Sequence, residues 1–270
     1  MNNTAQTILI ITGVLAGIVA INFAPMISPM TPGMEPQRYA GITVHALPED
    51  AADAQHVAER IARDSRAVVE ALAADTSEED ESAGVANGST ADSGDDEVEV
   101  ILYHNQWALH RKTIGLAGAI LPSWFIGDNT ERYVLIVSPS RPGPTHSRES
   151  VEQAAVHEYV HVMTDRRNKA LGYWMKEGIA LYLAGQEPTE GALAQHADLT
   201  WTEFSTPNAM QFAQVGGYSL AWDMIDYIVQ EHSWQSVIDL IDPDASFETV
   251  LGYDQRALYD RWIEDLRDRV

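Results

Sequence analysis

The sequence predicts an α+β fold with a small mixed sheet in its first half, a helical carboxyl-terminal half and an N-terminal transmembrane helix. Three observations lead to this prediction. Strand and helix patterns alternate up to residue 140, only helix patterns follow, and a long uncharged apolar run opens the chain. Strands that are followed by a run of helices are typical of α+β domains.

The N-terminal apolar run spans residues 7–27, and the first charged side chain is Glu35. An uncharged run of this length can cross a bilayer as a helix. A cleaved signal peptide is the alternative, but it usually carries Lys or Arg ahead of a shorter apolar core. We therefore expect residues 1–37 to be a membrane anchor and linker. Residues 38–270 would form the domain of a single-pass membrane protein, outside the cytoplasm.

The composition limits the partners of the protein. The chain has 270 residues, of which 40 are acidic and 17 are basic, so its formal charge is −23. Nucleic acid is excluded as a partner, because phosphate binding needs a basic face. The acidic surface suits a protein kept soluble in high salt, although such surfaces also occur without salt adaptation. The absence of cysteine excludes disulfides and thiolate metal sites, and the oligomeric state stays open.

The elements of the first half follow from their periodicity. Residues 41–47 and 98–104 alternate as strands, and residues 132–140 form a further strand. Residues 50–74 repeat apolar positions every three to four residues, which predicts an amphipathic helix. The acidic stretch 76–97 is rich in Ser and Gly and has no periodicity, so we expect a disordered loop.

Helix patterns dominate the second half. Ser150 and Gln153 fit a capping box that opens a helix reaching Asp165. Before it, residues 104–124 predict a helix followed by a glycine-broken loop. The remaining helix patterns occupy residues 172–184, 217–231, 234–241 and 255–268.

The motif VHEYVH (156–161) lies inside the helix that we expect to start at Ser150. His157 and His161 are one turn apart and point the same way, so two neutral imidazoles can hold one metal ion. Glu158 lies beside that face, where its carboxylate can meet a metal-bound water. Zinc is the expected metal, because it lowers the pKa of bound water and polarises a carbonyl. The alternative is a pair of ordinary polar helix residues.

A catalytic zinc site needs a third protein ligand. A metzincin would continue with Gly at 164 and His at 167, but the chain has Thr164 and Arg167. Glu177 is the better candidate. It lies in the apolar helix pattern WMKEGIALYL (174–183), where a buried carboxylate needs a cation or a hydrogen-bond partner. A surface position for Glu177 is the alternative, and the rival ligands are Asp165, Glu187, Glu190 and His196.

With these residues the chain resembles the gluzincin group of zinc metallopeptidases, especially their small peptidase MA-like domains. VHEYVH followed by WMKEG carries the resemblance, and the surrounding strand and helix patterns extend it over residues 40–270. The resemblance implies a zincin-like fold of the minimal thermolysin type, bound Zn²⁺, and hydrolysis of peptide or protein substrates.

The resemblance also implies roles for individual residues. Glu158 would be the general base, and the metal ligands would be His157, His161 and Glu177. Tyr218 matches a tyrosine that stabilises the oxyanion, or it packs in a helix start. Asp165 would orient an imidazole, or it is a surface residue at a helix end.

The predicted strand 132–140 precedes the zinc helix, and we expect an extended substrate to pair with it. The whole protein is then a membrane-anchored zinc peptidase. Two alternatives stay open: a noncatalytic zinc-containing domain and a metal-free domain, either of which would bind or scaffold partners at the membrane.

Overall fold

A five-stranded mixed sheet forms the centre of the domain. The computed structural model describes residues 22–66, 97–120 and 122–270, together with the isolated positions 12, 17 and 19. Its strands are β1 (Glu35–Tyr39), β2 (Ile42–Ala46), β3 (Glu99–Tyr103), β4 (Gly127–Asn129) and β5 (Tyr133–Val137). They follow the order β1-β2-β3-β5-β4, in which β2, β3 and β5 run parallel and the two edge strands pair antiparallel.

The three parallel strands are the ones that the sequence predicts. β3 reads EVILY and β5 reads YVLIV, and four of the five residues in each are buried. Such continuous apolar strands occur where a sheet is covered on both faces. The middle of the sheet is therefore part of the core of the domain.

The two edge strands escape prediction. β1 starts at Glu35, inside the predicted linker and across the predicted domain boundary after residue 37. Pro36 is tolerated there because an edge strand needs backbone hydrogen bonds on one side only. Ala40 and Gly41, with φ of 49° and 89°, make the two-residue turn into β2. β4 has only three residues, GDN, which is too short and too polar to produce a strand pattern.

Helices pack around the sheet and form the second half of the domain. The described helices are α1 (Ala51–Asp64), α2 (Gln106–Ile114), α3 (Arg148–Arg167), α4 (Tyr173–Leu183), α5 (Trp201–Phe204), α6 (Ala209–Gln214), α7 (Gly217–Glu231), α8 (Trp234–Asp239), α9 (Phe247–Leu251) and α10 (Gln255–Arg269). The predicted helices 172–184, 217–231, 234–241 and 255–268 correspond to α4, α7, α8 and α10. α1 and α3 pack against each other and on the sheet, and α4 makes its most extensive contact with α7.

The helix that carries the histidine motif begins earlier than predicted. Ser147, and not Ser150, is the N-cap of α3. The Ser147 hydroxyl accepts a hydrogen bond from the Ser150 backbone N–H (3.1 Å), and the Ser150 hydroxyl accepts one from the Ser147 N–H (2.9 Å). Ser147 has the extended backbone that a cap requires. With two serines three positions apart, the sequence pattern alone does not decide which one is the cap.

The predicted transmembrane helix and the single-pass membrane location are corrected by the structure. Among the residues that the structure describes, no helix is long and apolar enough to cross a bilayer. Where the end of the run 7–27 is described, it packs on the domain: the Asn22 side-chain oxygen accepts a hydrogen bond from the Leu116 N–H (2.8 Å). Most of the run lies outside the described residues. The placement of the domain outside the cytoplasm rested on this helix and loses its basis.

Two further predictions extend to residues that the structure does not describe. The amphipathic helix 50–74 is confirmed as α1 over Ala51–Asp64, and its predicted continuation from residue 67 lies outside the described residues. The predicted disordered loop 76–97 also lies outside them, apart from Glu97.

Candidate metal centre

Two histidines on α3 form the centre of the candidate site. The Nε2 atoms of His157 and His161 are 2.9 Å apart, and the two rings meet edge to face. Nδ1 of His157 donates a hydrogen bond to the side-chain oxygen of Gln186 (2.9 Å). A neutral imidazole that donates from Nδ1 keeps the lone pair on Nε2. His157 therefore presents a metal-binding nitrogen toward His161.

Glu177 on α4 completes the group. Its Oε2 atom lies 3.3 Å from Nε2 of His157 and 3.6 Å from Nε2 of His161. The residue is only 8% exposed, so its carboxylate needs a cation or hydrogen-bond donors. Burial alone would raise the pKa of Glu177, but its interactions with the two imidazoles hold this pKa well below its usual range. The carboxylate is therefore ionised and directed at the histidines.

A glycine lets α4 take this position. A Cβ at Gly178 would lie 2.6 Å from the carbonyl oxygen of Ala221 and 2.7 Å from Cγ1 of Ile225, both on α7. Only a residue without a side chain permits such a close approach of two helices. The segment between α3 and α4 is short, so these two helices also pack side by side. Contacts on both sides of α4 thus hold Glu177 opposite the histidines.

The spacing of the three ligand atoms fits a zinc ion. Among the described residues, His157, His161 and Glu177 form the group of metal-ligating side chains whose ligand atoms lie within 4.8 Å of one another. The centre of their triangle is about 1.9 Å from each atom, close to zinc–ligand distances of about 2.0–2.2 Å. Two imidazoles and a carboxylate are also a ligand set of catalytic zinc. The three predicted ligands are thus brought together by the fold.

The rival ligands lie outside this group. Asp165 accepts a hydrogen bond from the Lys176 ammonium group (2.5 Å). Among the described residues no hydrogen bond joins Asp165 to either imidazole, which favours the alternative of a residue at the helix end, and the contact with His157 is made by Gln186. The other rivals are also outside the group of three: Glu187, Glu190 and His196.

Glu158 lies beside the ligand group, against the edge of the sheet. A Cβ at Gly127 of β4 would be 3.0 Å from Oε1 of Glu158, so the carboxylate lies against the strand backbone. Burial raises the pKa of Glu158 to about 8. The electrostatic interaction with His157 opposes this shift, and the Asp128 and Glu177 carboxylates add to it. The Glu158 carboxyl group can therefore exchange a proton near neutral pH.

A cleft of about 480 Å³ opens beside these residues. Part of its lining is apolar and comes from Trp124, Phe125, Ala154 and Leu181. Glu158 and the three ligand residues form a polar part of the same lining. A concave, largely apolar site with a few converging polar groups is typical of a ligand-binding site.

The strand beside the cleft is not the one that the sequence suggests. β5, within the predicted strand 132–140, lies between β3 and β4. Its backbone groups are used on both sides by the sheet, so the prediction that substrate pairs with this strand is wrong. Among the described strands, the one at the edge of the sheet beside the cleft is β4.

Alternate residues of β4 direct their backbone N–H and C=O groups away from β5. Ile126 and Thr130, which flank the strand, form backbone hydrogen bonds with β5 or its flanking residues. In an antiparallel pair, alternate residues direct their backbone groups toward the partner strand and away from it. The N–H and C=O groups of Gly127 and the C=O group of Asn129 therefore face outward, at residues that line the cleft. The Asn129 N–H donates to the Asp128 side chain (2.9 Å).

Tyr218, in the first turn of α7, reaches the cleft. Its hydroxyl lies 3.0 Å from the hydroxyl of Tyr173 on α4. Burial raises the pKa of both phenols, and the Glu177 charge adds to this effect. Both hydroxyls therefore stay protonated at neutral pH and can donate hydrogen bonds.

Three residues of the site escape prediction: Gln186, Tyr173 and Gly127. Gln186 follows α4 in a turn, and no local pattern distinguishes it from other amides. Tyr173 lies four residues before Glu177, so helical spacing could have placed the two side chains together. Gly127 belongs to a strand that is too short to recognise, and its importance depends on contact with another element.

No protein-family model, no curated protein and no solved structure matches this chain. The resemblance to the gluzincin group, and the zincin-like fold that it implies, therefore stay predictions. A functional assignment has to rest on the geometry of the described residues.

Proposed function

We propose that the chain is a zinc-dependent peptidase that hydrolyses peptide bonds with Glu158 as general base. The observation that carries this proposal is the convergence of two histidines and Glu177 next to Glu158, in a cleft with a free strand edge. Structural zinc sites are closed by four protein ligands, whereas catalytic sites have three and an open position. Three ligands in an open cleft favour catalysis.

The chain would hold zinc through Nε2 of His157, Nε2 of His161 and Oε2 of Glu177. Zinc bound there would supply Lewis acidity, which polarises a carbonyl group and lowers the pKa of coordinated water. Gln186 would keep His157 in the tautomer that binds metal, because it accepts the Nδ1 proton.

Glu158 would take the proton of the attacking water and pass it to the leaving amine. Its carboxylate lies beside the three ligand atoms and is not part of their group. Contact with the backbone at Gly127 fixes the carboxylate next to the strand along which a substrate would lie. A base in this position can act without displacing a ligand.

An extended peptide would lie along β4. The N–H and C=O groups of Gly127 and the C=O group of Asn129 would pair with the peptide backbone, as in other cases of strand addition. Apolar side chains of the peptide would contact Trp124 and Phe125 in the cleft. Backbone pairing favours a peptide substrate, because it recognises the repeating amide groups.

Tyr218 would donate a hydrogen bond to the oxyanion that develops on the scissile carbonyl. The hydroxyl of Tyr173, at 3.0 Å, would hold the Tyr218 hydroxyl in place. A phenol serves this role because it remains a donor at neutral pH.

The substitution Glu158→Gln tests the proposal. Glutamine is nearly the same size as glutamate and cannot accept a proton at neutral pH. The variant should keep full zinc content and the parent's melting temperature, while hydrolysis of an unstructured protein falls at least ~100-fold. Glu177→Ala should lose zinc, and the matched change Glu187→Ala should not. Metal analysis and peptidase assays from low to molar salt give both readouts.

Each contrary outcome has a separate meaning. Activity that survives Glu158→Gln would place the chemistry elsewhere. A parent that binds zinc but hydrolyses no peptide at any salt concentration would favour a noncatalytic zinc-containing binding domain. A parent that takes up no zinc would refute both readings of the site.

A further inference from the structure

β4 carries a carboxylate that the proposed zinc site does not use. Asp128 lines the cleft and is partly buried. Its charge acts on Glu158, so it lies near the bond that would be cleaved. His157, His161 and Glu177 would hold zinc and Glu158 would be the base, which leaves Asp128 without a role in the site.

The Asp128 carboxylate lies at the edge of the sheet. Its Oδ1 atom accepts a hydrogen bond from the backbone N–H of Asn129 (2.9 Å). In the alternation of an antiparallel strand, this N–H points away from β5. The carboxylate is therefore on the outer side of β4, where the backbone of a bound peptide would pair.

A turn ends β4 directly after Asn129. The Thr130 N–H donates to the Tyr133 carbonyl (2.9 Å), and the Thr130 hydroxyl accepts a hydrogen bond from the Tyr133 N–H (3.0 Å). These bonds turn the chain back into β5. Asn129 is thus the last residue of β4 with which a peptide can pair, and Asp128 lies at that end.

The Asn129 backbone and the Asp128 carboxylate together offer only acceptors to a substrate. The Asn129 N–H is already used by Asp128, so the Asn129 carbonyl and the carboxylate remain. A peptide amide presents one donor and one acceptor, and its carbonyl would face the carboxylate without a donor. An ammonium group presents three donors and no acceptor. A cationic nitrogen group therefore fits this end of β4 better than a further peptide unit does.

No Lys or Arg balances the charge of Asp128 in the described part of the chain. None forms an ion pair with it, and none is among the described residues that line the cleft. Burial raises the pKa of Asp128, and the Asn129 N–H and the interaction with His161 oppose this shift only in part. A buried carboxylate without a cation is costly. A cationic group of the substrate would reduce this cost.

We propose that Asp128 is a specificity-determining residue that binds a cationic nitrogen group of the peptide, close to the bond that is cleaved. This inference rests on the proposed peptidase function. The group is the ammonium of a lysine side chain or of a free amino terminus, since both supply the same donors and the same charge. A peptide antiparallel to β4 runs toward its amino end from Gly127 to Asn129. The cationic group therefore lies on the amino-terminal side of the bond next to Glu158.

Three unstructured peptides test the proposal. The neutral peptide has an acetylated amino terminus and norleucine one or two residues before the scissile bond. The second peptide has lysine in place of norleucine, and the third keeps norleucine but has a free amino terminus. We expect kcat/KM to be about 10- to 100-fold higher for at least one cationic peptide than for the neutral one, the usual effect of a hydrogen bond to a charged group. The peptide that responds identifies the source of the cation.

Two variants separate the charge of Asp128 from the overall charge of the protein. Asp128→Asn keeps the size of the side chain and an oxygen that can accept from the Asn129 N–H. In this variant the ratio of kcat/KM between the cationic and the neutral peptide should fall to about one. Glu131→Gln is the matched control, because it removes a carboxylate from the exposed turn after β4, outside the cleft lining. It should keep the ratio of the parent.

Peptide binding, measured by calorimetry on the metal-free full chain, separates this proposal from the proposed function. The Kd of the responding peptide should be at least about tenfold lower than that of the neutral peptide in the parent and in Glu131→Gln, and equal to it in Asp128→Asn. Equal Kd values for all three peptides in the parent, or a preference that persists in Asp128→Asn, would overturn the proposal. If the preference in binding is present but the zinc-loaded parent cleaves no peptide, the peptidase function fails and the cation-binding role of Asp128 stands.

Discussion

Gly127 affects the candidate site through the space that it leaves to Glu158. A methyl group at this position would lie 3.0 Å from Cγ and Oε1 of Glu158 and 3.1 Å from Cδ1 of Ile136. Ile136 is fully buried in the sheet, so its side chain is packed on all sides. The Glu158 carboxylate would have to give way, so its position depends on a residue of another element.

Under the proposed function, the substitution Gly127→Ala should lower kcat by about 10- to 100-fold, because displacement of a general base by a fraction of an ångström to one ångström is costly. Zinc content should stay unchanged, since the atoms nearest to the added methyl group belong to Glu158 and Ile136, which are not among the proposed ligands. Steady-state kinetics and metal analysis of the purified variant provide the measurements.

A double substitution controls for damage to β4 itself. In the Glu158→Gln background, Gly127→Ala should have little further effect, because residues that act through one group are not additive. If Gly127→Ala lowers kcat equally in the parent and in Glu158→Gln, the substitution does not act by displacing the Glu158 carboxylate.

Spacing along the chain predicts the residues of the site that share one helix. His157, Glu158 and His161 have fixed relative positions as soon as the segment is helical. Glu177 could be predicted as well, because a carboxylate in an apolar helix pattern needs a partner. Gln186 could not, because its position depends on how the chain turns after α4.

Asp53 joins three elements of the fold. Its buried carboxylate accepts hydrogen bonds from the Ser138 hydroxyl, from the N–H and hydroxyl of Ser140 (3.0 and 2.9 Å), and from Arg148 (2.7 Å). Burial alone would raise the pKa of Asp53, but these donors lower it to about 2. Asp53 thereby holds the end of β5 and the start of α3 against α1.

The substitution Asp53→Asn should lower the free energy of unfolding at neutral pH by about 2 kcal/mol, since hydrogen bonds to a charged group are lost. The folded-state pKa of about 2 lies below the unfolded value of about 3.9. The carboxylate therefore stabilises the fold above about pH 4, and this contribution is lost as the pH falls toward 2.

Denaturant unfolding of parent and variant between neutral pH and about pH 2 measures this difference. The difference in free energy of unfolding between parent and variant should become smaller below about pH 4. Glu149→Gln, which changes an exposed carboxylate in the same region, should differ little from the parent at any pH. If the difference in free energy of unfolding between parent and Asp53→Asn stays constant down to the lowest pH, the ionised Asp53 carboxylate does not stabilise the fold as predicted.

The elements that bury the most apolar surface are the ones that the sequence predicts. β3, β5 and the long helices have apolar patterns extended enough to be recognised. β1 and β4 are polar edge strands, and they form because a neighbouring strand offers them backbone partners. Their existence depends on tertiary structure, which local patterns do not contain.

Electrostatic repulsion acts on the molecule as a whole. A formal charge of −23 opposes the compact state through the mutual repulsion of its carboxylates. Salt shortens the range of this repulsion, from a Debye length of about 10 Å at 0.1 M to about 3 Å at 1 M. The melting temperature should therefore rise with salt, by about 2–4 °C for each kcal/mol of repulsion that is screened.

Thermal melts in increasing concentrations of sodium chloride measure this effect. A neutral solute at matched osmolality is the control, because it changes water activity without screening charge. A melting temperature that falls with salt, or that rises equally with the neutral solute, would show that net repulsion does not limit the stability of this fold.

The candidate ligands all lie on α3 and α4, between residues 157 and 177, whereas Gly127 belongs to a different stretch of the chain. Bringing α3 and α4 together closes only the short segment between them. This costs little conformational entropy compared with pairing the distant strands of the sheet. Under the proposed function, a hairpin of α3 and α4 could capture zinc before the sheet is complete. Glu158 would become a working base only after β4 has docked. Metal uptake and activity would then report different stages of folding, and a partly folded chain could hold its metal without being able to cleave anything.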